Sequence, residues 1–533
     1  MIYDVLIVGL GPVGATTANL LARRGLRVGV IESEFEIYNK PRALTFDHEV
    51  MRVFQACGLA DRIAGFTTPH PGTHYLGVDG RVIKKVESLP PPYPLAWPPT
   101  ITFVQPEVER LLRDGVRQSA AVDVYLGHCA VAFVQDDAGV ALTVRDVTQG
   151  KELVLRGQAL LGCDGANSFV RKTLDIPLED LGFDEWWMVV DVRVHGPVDL
   201  PRVCFQYCWP SRPATFIPGP GNLRRWEIKL LPGERPEEFG RDENVVQQIS
   251  RFVDPSRVEI WRSAVYRFHA LLAERWRHGR TFLLGDACHQ TPPFLGQGMC
   301  AGIRDAANLA WKLAMVLRDG APDALLDSYE LERKPHVRTL VATAKEFGQI
   351  IGELDPDAAR IRDETLRGQL ERGEAETIRQ RFVPDLTAGI IDRNPGARGA
   401  GTLFVQPKVR RSHSAAPGHE VLLDDLLQFR FLIAATSAEA QAWLSPESRA
   451  LWRRLGGERI TIQPAGQAGR TDATADDDVL NLIEIDGLFS GWMRQYSCAA
   501  VVVRPDRYVF GTAADAVQLN RLLTAVAQQV LGR

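Results

Sequence analysis

Cysteine is scarce and scattered. The eight residues, at positions 57, 129, 163, 204, 208, 288, 300 and 498 of 533, never form CxxC. That spacing excludes a thiol-exchange motif and offers no finger-type metal framework. No metal is therefore expected, and most of these thiols read as small core hydrophobes in a reducing, cytoplasmic setting. Charge of one sign is missing too: 62 basic residues stand against 66 acidic ones, a net of −4. That balance lacks the electrostatic footprint of a nucleic-acid or anionic-membrane binder. No uninterrupted apolar stretch reaches the roughly 18 residues of a membrane span. The opening "MIYDVLIVGLGPVG" carries neither a charged leader nor a cleavage site, and is expected to be mature structure. Repeats and low-complexity segments are absent. What remains, 45% hydrophobic and 24% charged, is a globular chain long enough for about two to four domains.

The strongest positive signal lies at the start. "YDVLIVGLGPVGATTANLLARRGLRVGVIES" reads strand, tight turn, helix, strand. The run from Val5 to Val8 is of the kind buried on both faces of a parallel sheet. Gly9, Gly11 and Gly14 make GxGxxG. The first allows the turn, the second lets backbone approach a pyrophosphate, and the third lets the helix close on the strand. Free N–H groups at that helix start favour phosphate. Glu32 ends the next strand, where a carboxylate accepts from ribose hydroxyls and repels a 2′-phosphate, so FAD or NAD is expected rather than NADP.

Two further loops pair glycine with acid after an apolar strand: Asp164–Gly165 after "ALLGC", and Gly285–Asp286 after "RTFLL". Three such loops are expected to converge at the carboxyl edge of one parallel sheet, where open α/β folds bind ligands. After Gly285–Asp286 come Pro292 and Pro293, which stiffen the chain, then Gly296 and Gly298, which permit close approach. A helix beginning near Met299 follows, with Leu309, Leu313, Val316 and Leu317 at helical spacing as core contacts.

These three motifs, in order over residues 1 to about 350, resemble those of the class A flavoprotein aromatic hydroxylases related to para-hydroxybenzoate hydroxylase. "KPRALTFDHEVMRVFQACGL", "GQGMCAGIRDAANLAWKL", "RWEIKLLPGE" and "GTLFVQP" are similar to the 3-(3-hydroxyphenyl)propionate hydroxylase subgroup. The resemblance implies FAD, with NADH or NADPH as donor and O2 as co-substrate. It also implies a flavin C4a-hydroperoxide that attacks a phenolic ring. The FAD-binding set it implies is Gly9, Gly11, Pro12, Val13, Gly14, Glu32, Ser33, Arg42, Gln105, Asp164, Gly165, Gly285, Asp286, Pro293, Gly296, Gly298, Met299 and Cys300. In that set Asp286 binds a ribitol or ribose hydroxyl, the Pro–Gly loop lies along the isoalloxazine, and the helix from Met299 points its positive end at the N1–O2 edge, where reduced flavin is negative. Cys300 stands where many relatives carry asparagine. Surface salt bridging is the alternative for Arg42, helix N-capping for Gln105, and a backbone-satisfied loop residue for His289.

Residues 181–270 read as a strand-rich substrate domain. Phe205, Tyr207 and Trp209 alternate onto one face, and Trp226, Ile228 and Leu230 share another strand's face; either stripe can line a pocket or fill a core. A phenol is attacked more readily when deprotonated, and His48, Tyr207, Tyr266 and His269 are the candidate bases. Asp47 is an alternative cap for the helix at His48. An arginine is expected to hold any substrate carboxylate, but the sequence does not single one out.

The organisation that follows is an FAD-binding part over 1–180, with an inserted substrate-contacting segment near 65–100. The substrate domain spans 181–270, a second FAD-binding and helical part 271–395, and a C-terminal domain 396–533. In the last, "FRFLIAA" is a strand, "AEAQAWLSPESRALWRRLG" one helix, and "VVVRPD" with "RYVFG" a hairpin before a final helix. That order resembles a thioredoxin-like fold without CxxC. The fold class is thus α/β: a Rossmann-like FAD domain, a β-sheet substrate domain and a thioredoxin-like tail. The expected activity is single-component phenol hydroxylation, of a hydroxyphenylpropionate-like acid for example, possible in a homodimer. The alternatives are oxygenation of a polycyclic polyketide phenol, Baeyer–Villiger oxygenation, or a non-catalytic flavin-binding regulator. A halogenase is disfavoured because Trp186–Trp187 does not fit a WxWxIP segment.

Overall fold

The computed structural model describes residues 2–412, 420–465 and 478–532. Its first sheet runs Arg277–His278, Thr281–Leu283, Glu152–Gly162, Ile2–Val8, Val28–Glu32, Val122–Leu126. From Thr281–Leu283 onward the neighbours are parallel. Val5, Leu6 and Ile7 are fully buried, as strands covered on both faces must be. Helices Pro12–Arg23, Gln105–Gln118 and Gly298–Leu317 flank the sheet, and Leu309 and Leu313 are buried in its core.

A second sheet runs His289–Gln290, Val258–Ala273, Leu178–Val194, Leu223–Lys229, Ala214–Pro218, Cys204–Tyr207, Thr73–Leu76, Val82–Val86. Its two outer strands come from the stretch near 65–100. Its first strand follows directly on the Gly285–Asp286 turn. This sheet is therefore sewn to the first at the loop that carries an acidic site residue.

Helix Ser328–Gly352 continues through Pro335. Helix Pro356–Glu371 braces the far edge of the second sheet, where Asp363 accepts from Val78 N at 2.7 Å and Arg362 donates to Cys208 O at 2.8 Å. The C-terminal sheet runs Val421–Leu422, Lys408–Arg411, Val479–Glu484, Glu458–Gln463, Leu432–Ala435, Ala500–Val503, Val509–Ala513. The stretch read as one helix after "FRFLIAA" is two, Ala438–Ala442 and Pro446–Arg454. Ser445 caps the second through the Ser448 N–H, and Pro446 cannot continue the first.

This C-terminal part is bound to the rest by buried charge. Glu332, on helix Ser328–Gly352, accepts from Arg504 at 2.7 Å, Lys312 at 2.8 Å and the Ile390 N–H at 2.7 Å. Burial alone raises its carboxyl, but Arg504 and Lys312 hold it at about 2. Tyr508 donates to Glu49 at 2.9 Å. Arg52 bonds Asp424 at 2.6 Å. All of these side chains are buried. Because Glu332 is the shared acceptor, Glu332→Gln leaves Lys312 buried without a counter-charge and Arg504 with Asp506 alone, at 2.6 Å, and is expected to lower stability by about 3–5 kcal/mol. Guanidinium unfolding followed by tryptophan fluorescence measures it. The difference should be full above the unfolded carboxyl pKa of about 4.3 and vanish as pH falls toward 2.

Candidate active site

Three neighbouring parallel strands end side by side, with Leu283 opposite Gly162 and Gly162 opposite Val8. Each is followed at once by one of the glycine–acid loops. The approach is as close as backbones allow. A Cβ at Gly9, whose φ is +99°, would collide with the Cys163 carbonyl, and one at Gly14 would collide with the Gly9 carbonyl. Buried polar groups tie the loops together. Arg171 Nη1 donates to Ala166 O at 3.1 Å and to Ala287 O at 3.0 Å, bridging the second and third loops. Asp305, fully buried, accepts from Gly285 N at 3.1 Å and Arg333 Nε at 2.9 Å, and pairs with His289 Nε2 at 2.7 Å. His289 thus anchors the third loop from inside.

The opposite side of these loops is open. A Cβ on Gly11 or Gly298 would meet nothing within 4 Å. The helices that begin there, Pro12–Arg23 and Gly298–Leu317, have no side-chain cap, so their first N–H groups face an anion-favouring space. Asp286 is exposed within the otherwise buried run Thr281–His289. Even so, the protein mass around it pushes its carboxyl upward against the pull of His289 and Arg42. An accessible carboxylate surrounded by protein marks the floor of a cleft. Asp164 keeps Oδ1 buried and unpartnered, and burial raises its carboxyl as well. Glu32 accepts from Leu10 N at 2.7 Å, and Ser33 lies beside it. The Arg42 loop is held at both backbone ends: Gln105 Oε1 accepts from Arg42 N at 2.8 Å and Ala43 N at 2.6 Å, while Arg225 donates to Arg42 O at 2.8 Å. Gln105 is not an N-cap; it opens its helix after Val104. A cleft with two uncapped helix starts, a floor acid and, at its rim, the exposed Arg42, whose guanidinium lies 5.0 Å from the Tyr38 ring centre, fits a dinucleotide such as FAD.

Residues 2–344 match the FAD binding domain family, and residues 401–529 the HcaD C-terminal domain family. A 3-(3-hydroxy-phenyl)propionate/3-hydroxycinnamic acid hydroxylase of Comamonas testosteroni is 34% identical, over 96% of this chain and 94% of its own. The chain belongs to the FAD-dependent aromatic hydroxylases. A probable NADH-specific resorcinol 4-hydroxylase of Rhodococcus jostii is 33% identical over 98% and 95% of the two chains. Among solved structures, aklavinone-11 hydroxylase with FAD and aklavinone superposes with a TM-score of 0.76 at 25% identity, covering 100% of this chain and 99% of that one. The flavin-dependent monooxygenase PieE has the same fold, with a TM-score of 0.79 at 21% identity over 99% of each chain. This hydroxylase therefore uses FAD, reduced by a nicotinamide nucleotide.

The hydroxylase's second sheet has two unlike faces. On the outer face Tyr207, Phe216, Trp226, Ile228 and Leu230 pack with Val245 and Ile249 of helix Asp242–Ile249. The aromatic stripes of this sheet are thus core. Tyr207 is therefore corrected from candidate base to core residue, its ring 4.7 Å from Trp209 and 5.2 Å from Phe252. His269 is corrected likewise: strand alternation places it outward, with Nδ1 3.5 Å from Asp184. The inner face carries Trp187, Tyr266, Phe268, Gln206, Thr215, Asp191, Arg225 and Glu227, by cross-strand register. Trp187 and Phe268 meet Phe294 of the Pro293–Leu295 turn at 5.1 and 6.1 Å, and Gly296, at φ +62°, closes that turn. Met299 is half-buried on the next helix; Cys300 is fully buried, and burial pushes its thiol up.

His48 starts helix His48–Ala56, and Asp47 caps it through Val50 N at 3.2 Å. Its Nδ1 is buried without a partner, and burial drops its pKa to about 4. Taking a proton from a phenol of pKa about 10 would then cost about 8 kcal/mol, so His48 suits a neutral hydrogen bond rather than proton abstraction. Tyr266 is inward and 37% exposed, with Arg262 5.1 Å from its ring centre. Arg379, in a segment where the sequence carries no motif, donates to Leu295 O on the turn that Gly296 closes.

Two substitutions test the cleft. The Cβ of Gly11→Ala meets no protein atom, so this change should leave the fold intact by circular dichroism while weakening FAD binding at least about tenfold, in line with loss of more than 1.4 kcal/mol. Asp286→Ala should give protein of low flavin content, read from the 450 nm absorbance per chain.

Proposed function

We propose that this protein is a single-component monooxygenase that hydroxylates a phenolic ring bearing a short acidic side chain, of the hydroxyphenylpropionate type, with NADH or NADPH and O2. The carrying observation is 34% identity sustained over 96% of the chain to the Comamonas testosteroni hydroxylase. The paired faces of the second sheet support it. Bound FAD supplies the reductive activation of oxygen, and the residues do the rest. Asp286, Glu32 and Asp164 take FAD hydroxyls, Arg42 its phosphate region, and the N–H groups at Gly11–Gly14 its pyrophosphate. The N–H groups at the start of helix Gly298–Leu317 would stabilise negative charge on the reduced ring system. Trp187, Phe268 and Phe294 exclude water from the reacting ring. Tyr266 is the remaining inward candidate base, able to take the phenol proton only as its own tyrosinate, and His48 orients the hydroxyl from a neutral imidazole. The strand order Glu458–Gln463, Leu432–Ala435, Ala500–Val503, Val509–Ala513, followed by helix Ala516–Leu531, supports reading the C-terminal part as thioredoxin-like.

A second reading, oxygenation of a polycyclic phenol, draws on the likeness to aklavinone-11 hydroxylase. Purified holoenzyme, given 3-(3-hydroxyphenyl)propionate, resorcinol and a polycyclic phenol in turn, decides between them. The acid is expected to stimulate NADH or NADPH oxidation most and to gain one oxygen as a ring hydroxyl. Stimulation by the polycyclic phenol alone, or oxygen inserted into a C–C bond, would replace the reading. Because His48 titrates near 4, wild type and His48→Gln should show kcat/KM–pH profiles of the same shape between about pH 5.5 and 8.5.

A further inference from the structure

A carboxylate taken into a water-excluding site needs a cation there. The cations of the inner sheet face fall into two groups. Arg225 is matched by Asp191 at 2.7 Å, Arg262 by Asp191 at 3.4 Å, and Lys229 by Glu185 at 2.7 Å. Arg379 and Lys84 are different: among the described residues, neither has a carboxylate within ion-pair distance.

Arg379 enters from the short turn Arg379–Phe382. Its backbone is docked on the sheet edge, with its N–H on Glu87 O at 3.0 Å. Its guanidinium reaches the turn that ends at Gly296, where a Cβ would come within 2.9 Å of Nη2. Nη2 donates to Leu295 O, while Nε is buried with no partner. Its charge is felt at Tyr75, Cys204, His70 and Cys300, side chains from the inner sheet face, the wall beside it and the helix start. Lys84 is 9% exposed, and lies opposite Tyr75 in the strand pair. Its Nζ stands 5.5 Å from the Phe347 ring centre and 5.6 Å from that of Phe382, and Phe347 also touches Tyr75. The nearest acid, Glu376, is already taken by Ile378 N and Arg381.

We propose that Arg379 is the anion anchor of the substrate site, its guanidinium taking the side-chain carboxylate of the phenolic acid while Lys84 adds positive charge behind it. This rests on the hydroxylase reading above. Arg379 positions the substrate and determines its class; it takes no part in the oxygen chemistry.

The test reads binding without turnover. Holoenzyme is titrated with 3-phenylpropionate and with its neutral analogue 3-phenylpropanamide, and the flavin absorbance change is followed. Wild type should bind the acid about 10- to 100-fold more tightly, the range set by a charged hydrogen bond. Arg379→Met should erase that preference at unchanged FAD content, and Arg379→Lys should restore part of it. Equal affinity for acid and amide in wild type, parallel loss of both in Arg379→Met, or loss of FAD from that variant would each overturn the assignment. A protein that hydroxylates no phenol yet prefers the acid through Arg379 keeps this inference and loses the functional reading. One that hydroxylates neutral phenols without acid preference does the reverse.

Discussion

The cleft depends on how closely Val8, Gly162 and Leu283 can bring the loops that follow them. Side chains on the crossing glycines would force those backbones apart, and the cleft would widen into an unshaped groove. Close approach alone does not hold it. Asp305 is buried, and a buried carboxylate is tolerable only when fully paired. His289, Arg333 and the Gly285 N–H supply that pairing. Arg171 then fastens the second loop to the third. Protein groups alone tie the loops together, so binding need not be spent on assembling them.

The second sheet meets a different demand. Its outer face is sealed by apolar contacts with helix Asp242–Ile249, which frees its inner face to carry charge. There Asp191 serves two arginines that also grip the Pro41 and Arg42 carbonyls. The same pairs that neutralise the substrate face therefore fix the rim of the cofactor cleft. Displacement of the sheet would be felt at Arg42, without any hinge between the two.

Much of this was legible in the chain. Gly9, Asp164 and Gly285–Asp286 announce themselves because turn geometry and close approach leave few residue choices, and their distance along the sequence does not blur a local signal. The substrate sheet was harder. Alternation marks Tyr207 and Trp226 as sharing a side, but not which side, because that depends on Thr73–Leu76 pairing with Cys204–Tyr207 across some 130 residues. His269 was misjudged for the same reason. Arg379 lies in an irregular segment where neither period nor motif operates, and only the fold brings it to Gly296. In the C-terminal part, one helix was expected where Ser445 and Pro446 divide two, a local stop signal that outweighed the run of helix formers around it.

The buried ion pairs of Glu332 with Arg504 and of Arg52 with Asp424, and the buried hydrogen bond from Tyr508 to Glu49, carry a lesson about inheritance. Each couples a side chain from the first 340 residues to one beyond 400, and neither half can change sign or lose a partner without stranding charge in the interior. The tail is thus no interchangeable module. Recombination between distant cousins at the glycine-rich stretch NPGARGAG, residues 394–401, would join sequences that disagree about where their charges belong, and the two regions must drift together or not at all.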